Sequence, residues 1–215
     1  MNHRWLTLLS IGGITLMVFI FFIAYLQPIQ LPEIETPIEI GTLTEPTVTF
    51  VNPSKGAEEP VIQIVEFSDF QCSACKTIAP TLDAIVMAYP DQVQLVWKNL
   101  PNESIHQLAT PAAIAAHCAN QQGKFWEYHD ELYTRQTFLT EEQLTTIAST
   151  IGLDMGKFSN CNSTRDTLPI VKNDYNEALG LGLTSTPTLF VGDEMVIGAI
   201  TLTDLMSIVE AQLNK

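Results

Sequence analysis

The sequence predicts an α/β domain: a mixed sheet flanked by helices, interrupted by a helical subdomain and carried behind one N-terminal transmembrane helix. Three observations lead there. An almost continuously apolar, β-branched run, VIQIVEF (61–67), gives way to a helical pattern and then to a second such run, VQLVWKN (93–99). Strands of that kind are covered on both faces. A stretch of some eighty residues with helical pattern then intervenes before strand signals return at PTLFVG (187–192) and EMVIG (194–198). Finally, Trp5 to Leu26 is a 22-residue run without a charged side chain, long enough to cross a hydrocarbon core of about 30 Å.

The apolar run opens the chain. A cleavable signal has a shorter apolar stretch followed by a small-x-small site, and FFIAYLQP (21–28) offers none. Residues 1–26 are therefore expected to be an uncleaved signal anchor. Arg4 precedes the run and no Lys or Arg follows it until Lys55, so the N-terminus stays cytoplasmic and the rest is extracytoplasmic or periplasmic. Residues 27–46 follow as a linker. Pro28, Pro32, Pro37 and Pro46 alternate there with Glu33, Glu35, Glu39 and Glu45, a mixture too poor in buriable surface to order itself and held extended by proline.

The domain proper is expected over 47–215. TVTFV (47–51) has β character and predicts a short strand. After the strand at 61–67 a helix runs from about Cys72 to Tyr89, with Pro80 inside it as a kink rather than a chemical group. A helical insertion spans about 104–180: alanine-rich HQLATPAAIAAHCANQQ, then GKFWEYHDELYTRQ, then TEEQLTTIASTIG with Thr140 in capping position, then STRDTLPIVKNDYNEALGLG ending in glycines. The aromatic cluster FWEY (125–128) reads as helix core packing. Gly192-Asp193 turns the last two strands into a hairpin, and a helix from Leu202 to Leu213, capped by Thr201 or Thr203, closes the chain.

Charge narrows the function. The net charge is −14, and all 24 Asp and Glu lie after residue 26. Such a surface repels phosphate backbones, which argues against nucleic acid. No D-x-[DN]-x-[DN]-G calcium loop is present, and nothing in the sequence calls for a cofactor.

Cys72 and Cys75 stand at i and i+3 where a buried strand passes into a helix. A structural zinc site needs four ligands, whereas Cys118, Cys161 and the four histidines offer no matching pair. A structural bridge across so small a ring would remove little chain entropy. Redox chemistry fits better. A thiolate at a helix N-terminus faces unpaired N–H groups and the positive end of the dipole, which lowers its pKa. Cys72 is then the accessible nucleophile, and Cys75, one turn in, resolves the mixed disulfide.

EFSDFQCSACK with Pro80, GKFWEYHDELY after AAHCA, and TSTPTLFVGDEMVIGA resemble, in that order and over about residues 48–214, the DsbA-like branch of the thioredoxin superfamily, which includes the BdbD-type proteins. The resemblance implies a thioredoxin fold with a helical insertion and an exported thiol–disulfide exchange activity acting on protein thiols. It makes Pro187 the cis-proline opposite the thiols, with the Thr186 backbone free to pair with an extended client chain. It places Glu66 where the family often has an acid that exchanges protons with the thiols, although a salt-bridged structural carboxylate reads the sequence nearly as well. Some members carry a second bridge, which together with the oxidising compartment points to a Cys118–Cys161 structural disulfide over two free thiols. Compartment and family favour an oxidant re-oxidised by a DsbB-type, quinone-linked membrane partner. The dipeptide Ser73-Ala74 lacks the histidine of the strongest oxidants, with Lys76 as a neighbouring positive charge. An isomerase or reductase, or a non-catalytic metal-handling module on the same scaffold, are the alternatives.

Overall fold

The structure is a computed structural model that describes residues 15–21 and 40–215. The chain divides into two compact units, Met1–Pro37 and Ile38–Lys215. In the first, residues 15–21 are helical, with Leu16 to Phe21 exposed. The remainder of the expected anchor and linker residues 27–39 lie outside the described residues. Among the described residues no helix is long and apolar enough to cross a membrane.

The second unit is built on a five-stranded sheet in the order β1-β3-β2-β4-β5. The strands are β1 (Ser54–Gly56), β2 (Ile62–Ser68), β3 (Val93–Asn99), β4 (Thr188–Val191) and β5 (Glu194–Ile197). Only β2 and β3 pair in parallel, because helix α1 (Ser73–Ala88) supplies the crossover between them. The other pairings are antiparallel. Alternation along β2 sorts its side chains. Ile62 and Ile64 pack with Ile78, Leu82 and Ile85 of α1 and with Leu205 and Val209 of α7 (Leu202–Leu213). Val65 and Phe67 pack on the opposite face with Ala178 of α6 (Leu168–Gly180). Glu66 falls in the row of Ile64, so its carboxyl is buried on the α1 side of the sheet.

Between β3 and α6 lie α2 (Ala109–Asn120), α3 (Phe125–Arg135) with a 3₁₀ turn at Gln136–Phe138, α4 (Glu141–Thr150) and α5 (Met155–Thr164). They share one core with Phe70 and Trp97, whose rings stack 4.5 Å apart. Phe125 and Tyr128 are buried in that core. Trp126 instead sits at its margin under Lys55, whose Nζ lies 4.0 Å from the ring centroid. Cys118 of α2 and Cys161 of α5 form a disulfide.

Two elements differ from expectation. Residues 47–51 are not a strand: Asn52 Oδ1 accepts from both the backbone N–H and the hydroxyl of Thr49, closing a turn that leaves Phe50 fully exposed. The edge strand forms three residues later, at Ser54–Gly56, where Gly56 has φ +102 and a Cβ would stand 2.3 Å from the Val93 carbonyl oxygen. The stretch STRDTLPIVKNDYNEALGLG is not one helix either. Its first residues end α5, which is capped by Asp154 accepting from the N–H groups of Gly156 and Lys157, and α6 starts only at Leu168. Residues 41–43 are also more engaged than a bare linker. The N–H groups of Gly41 and Leu43 donate to the carbonyls of Leu179 and Gly180 in the last turn of α6.

Candidate active site

Cys72 is the N-cap of α1, extended at φ −74 and ψ 122, and its Sγ accepts from the Cys75 N–H at 3.4 Å. The approach to that cap is fixed by Asp69, which the sequence reading did not single out. Asp69, buried, accepts from the Gln71 N–H at 2.7 Å with one carboxylate oxygen and from the Asn102 N–H and His106 Nδ1 at 2.9 and 2.8 Å with the other. Its carbonyl takes the Cys72 N–H at 3.0 Å. From the far side Gln136 Nε2 donates to the carbonyls of Phe70 and Cys72, both at 2.9 Å. The helix start is therefore clamped by the β3–α2 loop and by the helical layer together.

The two thiols are free and unequal. Cys72 is 9% exposed and Cys75 not at all. Cys72 is lowered to about 5, first by the hydrogen bond of the Cys75 thiol, then by Thr186 and by the N–H groups of Cys75 and Ala74, against an opposing effect of burial. The helix N-terminus contributes, but the second thiol contributes more. Cys75 is pushed far up by burial, by its bond to Cys72 and by the Glu66 charge. Glu66 itself is raised to about 7, chiefly by burial. It has no ion pair among the described residues, and its Oε1 has no hydrogen-bond partner. Beside it, the Ser68 and Tyr133 hydroxyls lie 3.1 Å apart, both buried.

Across from Cys72 the Thr186–Pro187 bond is cis. The Cys72 thiol donates to the Thr186 carbonyl at 3.4 Å, so the loop before β4 touches the reacting sulfur. The loop is held by Thr188 Oγ1 donating to the Ser185 carbonyl and by the Gly198 N–H donating to that of Pro187, both at 2.8 Å. The structure thus brings Cys72, Cys75, Glu66, Thr186 and Pro187 to one end of the sheet. Cys118 and Cys161 lie in the helical layer. No group of three or more His, Cys, Asp or Glu that could hold a metal ion occurs among the described residues. Asp69, Gln136, Ser68 and Tyr133 escaped the sequence reading. Only Asp69, three residues before Cys72 in FSDFQC, carried a local signal, as an acceptor able to close a turn onto the following N–H groups.

Comparison with known proteins agrees with this geometry. The family model described as Thioredoxin matches residues 51–211. A Na(+)/H(+) antiporter NhaA 3 from Salinispora tropica is 33% identical over 137 residues, 64% of this chain but 21% of that protein. The chain thus spans about a fifth of that relative's length. Among solved structures, a thioredoxin-like oxidoreductase from Silicibacter pomeroyi superposes with TM-score 0.69 at 26% identity, over 78% of this chain and 95% of that one. BdbD from Bacillus subtilis, in its oxidised form, superposes with TM-score 0.70 at 18% identity, over 84% of this chain and all of its own. With its vicinal thiols at the N-cap of α1 and a cis-proline against them, the chain belongs to the thioredoxin family and has the fold of its DsbA- and BdbD-type members.

Proposed function

We propose that the protein is a membrane-anchored, extracytoplasmic thiol–disulfide oxidoreductase that oxidises exported proteins through Cys72 and Cys75. The observation that carries this reading is the asymmetry of the pair: a barely exposed thiol at the helix N-cap, lowered to about 5, beside a fully buried one pushed up. A thiol that ionises so readily is a good leaving group, and stabilising the reduced form makes the disulfide oxidising.

The steps follow from that asymmetry. A client thiolate attacks Cys72 Sγ of the Cys72–Cys75 disulfide. The S–S bond breaks, and Cys75 leaves into a buried site where a thiolate is costly. Glu66, near half-protonated at neutral pH, supplies the proton that turns Cys75 into a thiol. The Thr186 backbone holds the client chain alongside, strand to strand. The client's second thiolate then attacks its own sulfur in the mixed disulfide and expels Cys72 as a thiolate. The client loses two electrons and two protons. The enzyme's disulfide gains the electrons, Cys75 keeps one proton, and the other passes to solvent while Glu66 is reprotonated. A quinone-linked membrane protein of the DsbB type would return the pair to the disulfide. The 22-residue apolar run behind Arg4 supports the anchor.

The test is refolding of a reduced, denatured client with the oxidised protein as the sole oxidant. Disulfide formation is expected with the wild type and none with Cys72→Ser, while Cys75→Ser accumulates a mixed disulfide with the client. A reduction potential far below about −250 mV, measured against glutathione, would make the protein a reductant instead.

A further inference from the structure

Beside the thiols a groove of about 830 Å³ ends at Thr186, the residue whose carbonyl meets the Cys72 thiol. That volume lies in the range of ligand sites, roughly 300–1,000 Å³. Its apolar wall includes Leu168, Val171 and Tyr175 of α6, and Leu183 beyond it. What sets it apart is charge. The chain has only 10 Lys and Arg against 24 acids, and most of the described cations are engaged. Lys55, Lys98, Arg135, Lys157 and Lys215 face carboxylates, and Lys124 donates to carbonyls. Lys76, Arg165 and Lys172 have no ion pair among the described residues, and two of these three line the groove. Both are exposed, and Glu103 is the one acid in the lining. Arg165 also caps α5 in the left-handed conformation, φ 55, the one non-glycine residue with positive φ among the described residues.

We propose that this groove holds the client chain next to its reacting cysteine and selects segments that combine apolar with acidic residues, Arg165 and Lys172 meeting the acids. The inference rests on the exchange reading above, which puts a client chain at Thr186. An extended chain paired with the cis-proline loop continues into the groove with no break, since Thr186 belongs to both. Elsewhere an excess of acids repels an acidic segment. Along this lining two cations without an ion pair outweigh one acid, and charges closer than a Debye length of about 10 Å at 0.1 M salt escape full screening. Selectivity follows from that contrast as much as from attraction.

The test uses the whole protein and two fluorescent peptides, both apolar and with serine in place of cysteine, one flanked by glutamates and the other by lysines. At low salt the wild type should bind the glutamate peptide about tenfold more tightly, two exposed ion pairs' worth. The preference should collapse in 1 M salt, and R165E/K172E should invert it. Arg165→Gln and Lys172→Gln singly should each lose about threefold, a readout that holds if the double reversal does not fold. Equal affinity for both peptides, or an unchanged preference in the variants, overturns the groove. Cysteine versions then separate the two ideas. Exchange without a charge preference leaves the oxidoreductase and sinks the groove. A charge preference in binding with no exchange does the reverse.

Discussion

Three residues apart, Cys72 and Cys75 carry the same thiol with two acidities, because one caps a helix and keeps a sliver of exposure while the other lies fully buried a turn inside it. In the unfolded chain Cys72 titrates near 9, and in the reduced fold near about 5. Between those values the folded state binds fewer protons, so reduced protein gains stability as pH rises from 5 and loses it as pH falls through 5. The urea resistance of reduced wild type over Cys72→Ser should therefore grow from pH 5 to pH 8. Glu66 has the opposite sign. Its carboxyl rises from 4.5 to about 7 on folding, so its ionisation costs up to about 3 kcal/mol once pH exceeds 7 and nothing below the unfolded value. Glu66→Gln should thus gain about that much more at pH 8 than at pH 4.5 in urea unfolding, while slowing release of Cys75 during client oxidation. Equal effects at both pH values would show that Glu66 does not titrate in this window. The cysteines were legible from their spacing and Glu66 as a polar residue in an apolar run, whereas Pro187 was marked only by the resemblance to the DsbA-like proteins. Gln136 and Tyr133 were not, since they reach the site only when the helical layer folds over it.

At the scale of elements, α2 and α5 are joined by the Cys118–Cys161 bridge across 43 positions of sequence. Closing that loop is worth about 4 kcal/mol in the chain-entropy account. C118S/C161S should lose roughly that stability in urea yet retain client oxidation, because neither sulfur reaches the exchange pair. The turn before α1 answers to Asp69. Asp69→Ala strands two buried or half-buried N–H groups and the His106 contact, a loss of about 2–4 kcal/mol. Strands β2 and β3, the closing hairpin and α7 follow the sequence closely because long apolar periods or named caps define them. β1 and α5 do not. TVTFV has strand propensity, but the Thr49–Asn52 turn takes its backbone first. MGKFSNCNST is a poor helix former, and α5 owes its form to the Asp154 cap and to the burial of Phe158 and Cys161.

On the scale of the whole molecule, an acidic domain with its reactive thiols beyond one end of the central strand is proposed to work outside the cytoplasm on a tether. The full-length chain should then sediment with membranes, stay there through a high-salt wash, and expose residues 47–215 to external protease. A shortened, soluble chain would point to cleavage of the N-terminal segment. The fold class came from the order of patterned segments, which no single contact alters, whereas the groove and its unpaired cations exist only once α6 lies against the loop before β4. The most direct measurement is a pH titration of thiolate absorbance in the reduced protein, with Cys72→Ser as the blank. The account predicts one thiol ionising with a midpoint near about 5, absent from the blank. A midpoint at or above the free-cysteine value of about 8.5 would contradict it.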